Sequence, residues 1–268
     1  MAVITLTTDF GTRDTYVAEM KAAILSITRD VHVVDITHEV APHDVLGGAL
    51  ALEAAAPRFP AATIHVAVID PGVGTARRGL AVASRGQMFV GPDNGLFTPF
   101  LGDPRWRAFE LTAAAFRAAL VSPTFHGRDI FAPAAAHLAR GLDPARLGPS
   151  VTDPVRLRWP EVRVAEGRVG GAVVHIDRFG NLVTSIHADA IAALGSALAV
   201  RVAGKTLPLV RTYGELGRGD PGALVGSSNR LEIAVNAGSA AKALRAGRGT
   251  PVVVSRSSPV ERRARRRS

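Results

Sequence analysis

The sequence predicts an N-terminal α/β domain with a mainly parallel central sheet, followed by a smaller antiparallel, β-barrel-like domain. Three observations carry this. Apolar β-branched runs alternate with segments of helical period as far as about residue 140. Residues 149–160 (PSVTDPVRLRWP) are then rich in Pro and Asp and lack clear periodicity. Beyond them the apolar runs are short, β-branched and punctuated by turn residues.

Residues 2–8 (AVITLTT) form the first strand, which ends at Asp9-Phe10-Gly11. From Tyr16 onward Val17, Met20, Ile24 and Ile27 recur at helical spacing, so a helix follows. Residues 31–36 (VHVVDI) are the second strand, 43–56 a second helix and 63–69 the third strand. This alternation argues for parallel pairing with helices on the sheet faces. Residues 80–84 and 88–90 are strands on either side of Arg85-Gly86, and Gly91-Pro92-Asp93-Asn94-Gly95 ends the second. Residues 129–140 read as a helix with Pro133 placed early and Gly141 as its stop. Strands are expected at 169–176, 182–186, 198–202, 207–210, 231–235 and 251–255. The domain reading is therefore 1–150, a linker at 151–165, a β domain at 166–258 and a basic, disordered tail at 259–268.

Composition narrows the chemistry. The 268 residues, 47% of them hydrophobic, suffice for a sizeable core. Cys is absent, which excludes disulfides and thiolate metal sites. No apolar run approaches bilayer length and the N-terminus has no signal pattern, so a cytoplasmic protein without a membrane partner is expected. The net charge is +9, but Arg262, Arg263, Arg265, Arg266 and Arg267 crowd the end of the chain. Such a block reads as a solvated tail, and a nucleic-acid partner is not expected.

Polar residues gather after the predicted strands: Asp9 and Asp14, then His38, Glu39, His43 and Asp44, then Asp70 and Arg77, then Asp93 and Asn94. PTFHGRDIF adds His126, Arg128 and Asp129 just before a helix. One such Asp is usually a turn former or cap, but the accumulation suggests a shared rim at the strand ends. Gly72-Val73-Gly74-Thr75 lacks the Lys-Ser/Thr of a Walker loop, and Arg77 stands at the third glycine of a dinucleotide fingerprint. His38 and His43 are five apart, one too many for a zinc helix, whereas a two-metal site from Asp9, Asp70, Asp93 and His126 stays open. No GxSxG elbow exists. Asp70, Arg77 and His126 remain as a set that can hold and polarise water, because Arg pairs with carboxylate in bidentate fashion and His titrates near neutrality.

In order along the chain, DFGTRDTYV (9–17), THEVAPHDV (37–45), IDPGVGTARR (69–78), GPDNGL (91–96), TFHGRDIFAPAAAHLA (124–139), DRFGNLVTSI (177–186) and SSNRLEIAVN (227–236) resemble the S-adenosyl-L-methionine (SAM) hydroxide adenosyltransferases. These SAM hydrolases are relatives of the SAM-dependent fluorinase and chlorinase. The resemblance implies conversion of SAM and water to adenosine and L-methionine, with no metal or other cofactor. It also implies a homotrimer with SAM held between subunits. The family's water-activating residues fall on Asp70, Arg77 and His126. Asp9 falls on the ribose diol, Asp177 on the methionine ammonium, and Ser228 near its carboxylate. Asn181 falls on the adenine edge, with Asn236 and Ala237 beside it. Phe179 and Tyr213 supply stacking surface, and Asp14, Thr124 and Gly127 join the substrate-binding set. Val183 stands where the fluorinase has a stacking aromatic, and Asn229 where it has a carboxylate-binding Arg, for which Arg230 is the candidate substitute. Asp70, and the immediate turn Ser84-Arg85-Gly86-Gln87 in place of the fluorinase insertion, favour water over halide. The alternatives are a halogenase, a metal-dependent hydrolase and a non-catalytic SAM or adenosine sensor.

Overall fold

The structure, a computed structural model, describes residues 1–256, so the predicted tail at 259–268 lies outside the described residues. The chain divides into two compact units, Met1–Arg158 and a second that begins at Trp159. Among the described residues, no helix is long and apolar enough to cross a membrane.

The first unit is built in the order β1 (Ala2–Thr8), α1 (Tyr16–Ile27), β2 (Val31–Thr37), α2 (Val45–Ala55), β3 (Ile64–Val68), β4 (Gly79–Ser84), β5 (Gln87–Pro92), β6 (Arg107–Glu110), α3 (Ala132–Ala139) and β7 (Ser150–Val151). The sheet order is β2-β1-β3-β5-β4-β6-β7. β2, β1, β3 and β5 pair in parallel, while β4 and β7 run against their neighbours, so five of the seven strands share one direction. Period-2 alternation sends Ile4, Leu6, Val66 and Val68 to one face, where Met20 and Ile24 of α1 and Phe131 and Ala135 beside them close the core. Thr5, His65 and Phe89 occupy the other face. The carboxyl ends of β1 and β3 are neighbours, which brings Asp9 and Asp70 to one edge.

The predicted helix at 129–140 differs in its first turn. Gly127–Phe131 is a π-helical turn, and the Ala132 N–H reaches back to the Gly127 carbonyl. Pro133 has no N–H to bond the Asp129 carbonyl, so the regular ladder is interrupted at this point. β6 was not predicted, since Arg107 and Glu110 hide any period within its four residues. Residues 150–157, read as the domain end and linker, are tied to the first unit: β7 pairs with β6, the Val155 N–H donates to Asp93 Oδ1 (2.7 Å) and the Leu157 N–H to Thr98 Oγ1 (2.8 Å).

The second unit contains β8 (Arg163–Ala165), β9 (Arg168–Ile176), β10 (Leu182–His187), α4 (Ala188–Ala192), β11 (Leu198–Val202), β12 (Lys205–Pro208), β13 (Pro221–Val225), β14 (Arg230–Val235), α5 (Ala240–Leu244) and β15 (Pro251–Arg256). Its antiparallel order is β12-β11-β15-β9-β10-β14-β13, with β8 added on β9. A bridge between Leu209 and Ala223 joins the two ends, so the sheet is a nearly closed barrel. Val169, Leu182, Val200, Ile233 and Val254 fill it. β13 escaped prediction because it opens on Pro221-Gly222, residues that sheets disfavour.

Candidate active site

In the first unit, β3 stops at Val68 and Asp70 follows at the strand end. Two turns then reverse the chain: the Val73 N–H donates to the Asp70 carbonyl (3.2 Å) and the Thr75 N–H to the Gly72 carbonyl (3.2 Å). Gly74 adopts φ +77°, and a Cβ there would stand 2.5 Å from the Pro123 carbonyl oxygen. The turn therefore presses on the loop that carries His126. That loop is held at its other side by Asp129, whose Oδ2 accepts from the Ser122 N–H (2.8 Å). Burial pushes the Asp129 carboxyl up, but its bonds from Arg128 and Ser122 outweigh this and hold it below the ordinary range. Arg128 in turn reaches Glu19 of α1 (2.8 Å).

Arg77 closes the cluster. Its Nε donates to Asp70 Oδ1 (2.9 Å) and Oδ2 (3.1 Å), and Nη2 also meets Oδ2. The same Nη2 stands 2.9 Å from His126 Nδ1. The side chains of Asp70 and Arg77 are only 4% and 11% exposed, so water screens the pair weakly. Phe131 lies beneath the guanidinium, 5.2 Å from its carbon. A guanidinium has only donors to offer, so His126 Nδ1 must accept and its proton sits on Nε2. Burial, then the Arg77 charge, pushes the His126 pKa down, which agrees with a neutral ring.

Asp70 and His126 line a cavity of about 320 Å³ together with Asp9, Thr124 and Gly127. Asp9 Oδ2 accepts from the His43 N–H (2.8 Å), and His43 lines the same space. Phe10, Tyr16 and Phe125 form one wall, with ring centroids 5.3–5.8 Å apart. Asp14 is exposed and does not line the cavity. Asp93 is occupied by Arg78 (2.8 Å) and the Val155 N–H and does not line the cavity. Among the described residues, no three His, Asp or Glu side chains converge as metal ligands.

The second unit has a cavity of about 690 Å³ lined by Asp177, Phe179, Asn181, Tyr213, Asn236 and Ala237, all of them predicted site residues. Asp177 Oδ1 accepts from the N–H groups of Phe179 (2.9 Å) and Asn181 (2.8 Å), and Oδ2 from Asn181 Nδ2 (2.9 Å). Phe179 is 77% exposed and Tyr213 44%, which leaves their faces open. Ser228 does not line this cavity; its neighbour Ser227 does. Arg230, the candidate carboxylate partner, is buried and its Nη1 donates to the carbonyls of Thr184 (3.3 Å) and Ser185 (3.1 Å). Glu232 also lines the cavity and was not singled out from the sequence. The available signal was an acidic residue inside the apolar run LEIAV.

Fold and sites together define a two-domain enzyme class: an α/β domain with an Asp–Arg–His cluster at its strand ends, and a β-barrel domain with an aromatic and carboxylate-lined cavity. Comparison with known proteins makes this specific. Residues 4–148 match the SAM hydroxide adenosyltransferase N-terminal domain and residues 171–253 its C-terminal domain, so the chain belongs to that family. It is 44% identical to a protein of Thermus thermophilus named (R)-S-adenosyl-L-methionine hydrolase, over 91% of this chain and 96% of that one. A fluorinase from Actinopolyspora mzabensis is 32% identical, over 95% and 97% of the two chains. A Thermotoga maritima protein of solved structure superposes with a TM-score of 0.90 at 34% identity, covering 94% of this chain and all of the other.

Proposed function

We propose that the protein hydrolyses S-adenosyl-L-methionine to adenosine and L-methionine. Water attacks the ribose C5′: the O–C5′ bond forms, the C5′–S bond breaks, and its electron pair returns to sulfur as a neutral thioether. No acid is needed on this leaving group; one proton must leave the water. The observation that supports the reading is the buried cluster of Asp70, Arg77 and His126 at the cavity wall. His126 Nδ1 is engaged by Arg77 and Nε2 carries the proton, so Asp70 is the group whose lone pairs face the water proton. Arg77 holds Asp70 and His126 in place, and the site supplies positioning and desolvation.

By the same reading, Asp9 binds the ribose, and the C-terminal cavity takes adenine and methionine groups from Asp177, Asn181, Tyr213 and Phe179. Asp14 and Ser228 rest on the resemblance alone. The protein works as a homotrimer without metal or other cofactor, which light scattering and turnover in chelator test directly. The relatives' name specifies the R configuration at sulfur, and we extend that preference to this chain. Resolved SAM diastereomers in ¹⁸O-labelled water, read by mass spectrometry, test the proposal. Label in the adenosine 5′-hydroxyl supports it, whereas no adenosine from either diastereomer refutes it. The fluorinase relatives motivate one second reading, halide attack, which 5′-halo-5′-deoxyadenosine on addition of fluoride or chloride would reveal.

A further inference from the structure

We infer that Glu232 contacts the adenine edge of the substrate and sets the base preference of the C-terminal cavity. The inference rests on the function proposed above. Leu231, Ile233 and Val235 of β14 belong to the barrel core. Period-2 alternation therefore sends Glu232 to the opposite face, where it lines the cavity. Its neighbours across the sheet are Val183 of β10 and Leu224 of β13, whose side chains offer neither charge nor a hydrogen bond. The Tyr213 hydroxyl donates to Glu232 Oε2 (3.0 Å). Gly226 lets the carboxyl lie flat against the backbone, since a Cβ there would fall 1.8 Å from Oε1.

Glu232 is 8% exposed, and with no cation set against it among the described residues its carboxyl is costly to keep ionised. Burial pushes it up, the Tyr213 bond opposes this, and the Asp177 charge in the same cavity adds to the rise. The Glu232 carboxyl accepts a hydrogen bond in either protonation state and also donates one when neutral. Adenine presents the complement along one edge: an amine donor beside a ring-nitrogen acceptor. The open faces of Phe179 and Tyr213 line the same cavity, so a stacked planar base would meet Glu232 and Asn181 at its rim.

The test separates the two halves of the substrate. Adenosine, inosine and L-methionine binding are measured by calorimetry on the full chain, with Glu232→Gln and Glu232→Ala beside wild type. Glu232→Gln keeps a donor and an acceptor, so its adenosine affinity stays within about threefold, whereas Glu232→Ala loses about tenfold or more. Methionine affinity does not change. Wild type prefers adenosine to inosine, and Glu232→Ala collapses that ratio, a change that a merely structural role would not produce. Thermal unfolding of both variants verifies the fold. An unchanged base ratio in Glu232→Ala, or a loss confined to methionine, overturns the inference while SAM turnover by wild type leaves the proposed function standing. Wild type that neither binds adenosine nor turns over SAM overturns both.

Discussion

Arg77 does not line the cavity, yet it touches both residues that do the proposed work there, so replacing it tests positioning apart from substrate contact. In Arg77→Lys the positive charge beside Asp70 remains, but a single ammonium cannot grip both carboxylate oxygens and also reach His126 Nδ1. Two charge-assisted hydrogen bonds are lost or distorted, each contributing about 1.5–3 kcal/mol. If most of that is felt in the transition state, the loss of about 3–5 kcal/mol lowers kcat roughly 10²–10⁴-fold. KM moves less than about threefold, because no substrate contact is removed. Arg77→Ala is the poorer probe: it leaves the buried Asp70 carboxylate unpaired, at a cost of about 3–5 kcal/mol of stability. The assay is initial-rate SAM turnover by chromatography, with thermal unfolding run in parallel. A folded Arg77→Lys enzyme whose kcat stays within about threefold of wild type, or whose defect lies in KM alone, refutes the reasoning.

Protonation of His126 would displace the Arg77 bond and set two cations together; its pKa is lowered, so activity holds through neutral pH and falls only well below about 6.5. In His126→Asn this acid limb disappears from the kcat profile. His65 is buried neutral between Phe59 and Phe89, bonded to Thr5 (2.8 Å), with its pKa pushed down to about 4 by burial. Its contribution is fully present above about 6.5 and is lost as pH falls through 4, on the order of 3 kcal/mol; urea unfolding of wild type and His65→Leu at pH 7 and 4 measures this. Gly74→Ala combines a positive φ with a 2.5 Å clash on Pro123, so it destabilises by about 1–3 kcal/mol and lowers kcat by loosening the His126 loop. Denaturant midpoints and turnover on one preparation check both effects.

The fold was legible wherever burial alone sets the period. β1 was predicted at 2–8 and β11 at 198–202, and both are observed there, because each alternates or runs apolar against a packed neighbour. α1 begins at Tyr16 for the same reason, with Met20 and Ile24 on its buried stripe. β6, β13 and the π-helical turn were not legible. Their backbone is decided by specific contacts that periodicity does not register: Leu80–Ala83 for β6, pairing with β14 for β13, and the Phe125 and Ser122 hydrogen bonds for the turn. Local propensity opposed two of these, through Arg107 and Glu110 in one and Pro221 in the other.

The candidate site divides along the same physical line. Asp9, Asp70 and His126 announced themselves as polar residues where an apolar run or a turn breaks off, and strand ends expose such residues to a common rim. Nothing local links Arg77 to His126, forty-nine positions apart; the link is the direct Nη2–Nδ1 contact, formed where the Gly74 turn packs closely on Pro123. The tautomer of His126 follows only from that contact, and with it our proposal that Asp70 rather than His126 faces the water proton. Glu232 was harder still to see. A charged residue in an apolar strand reads as an exposed face position until Tyr213 caps it, on the face away from the barrel core, and Asp177 shares its cavity. A polar side chain that breaks a strand's apolar pattern, and then proves buried beside a cavity with no cation against it, has lost hydration that a ligand in that cavity can restore. On that argument Glu232, rather than the exposed Asp14, is the residue to mutate first in a search for substrate contacts beyond the Asp–Arg–His cluster.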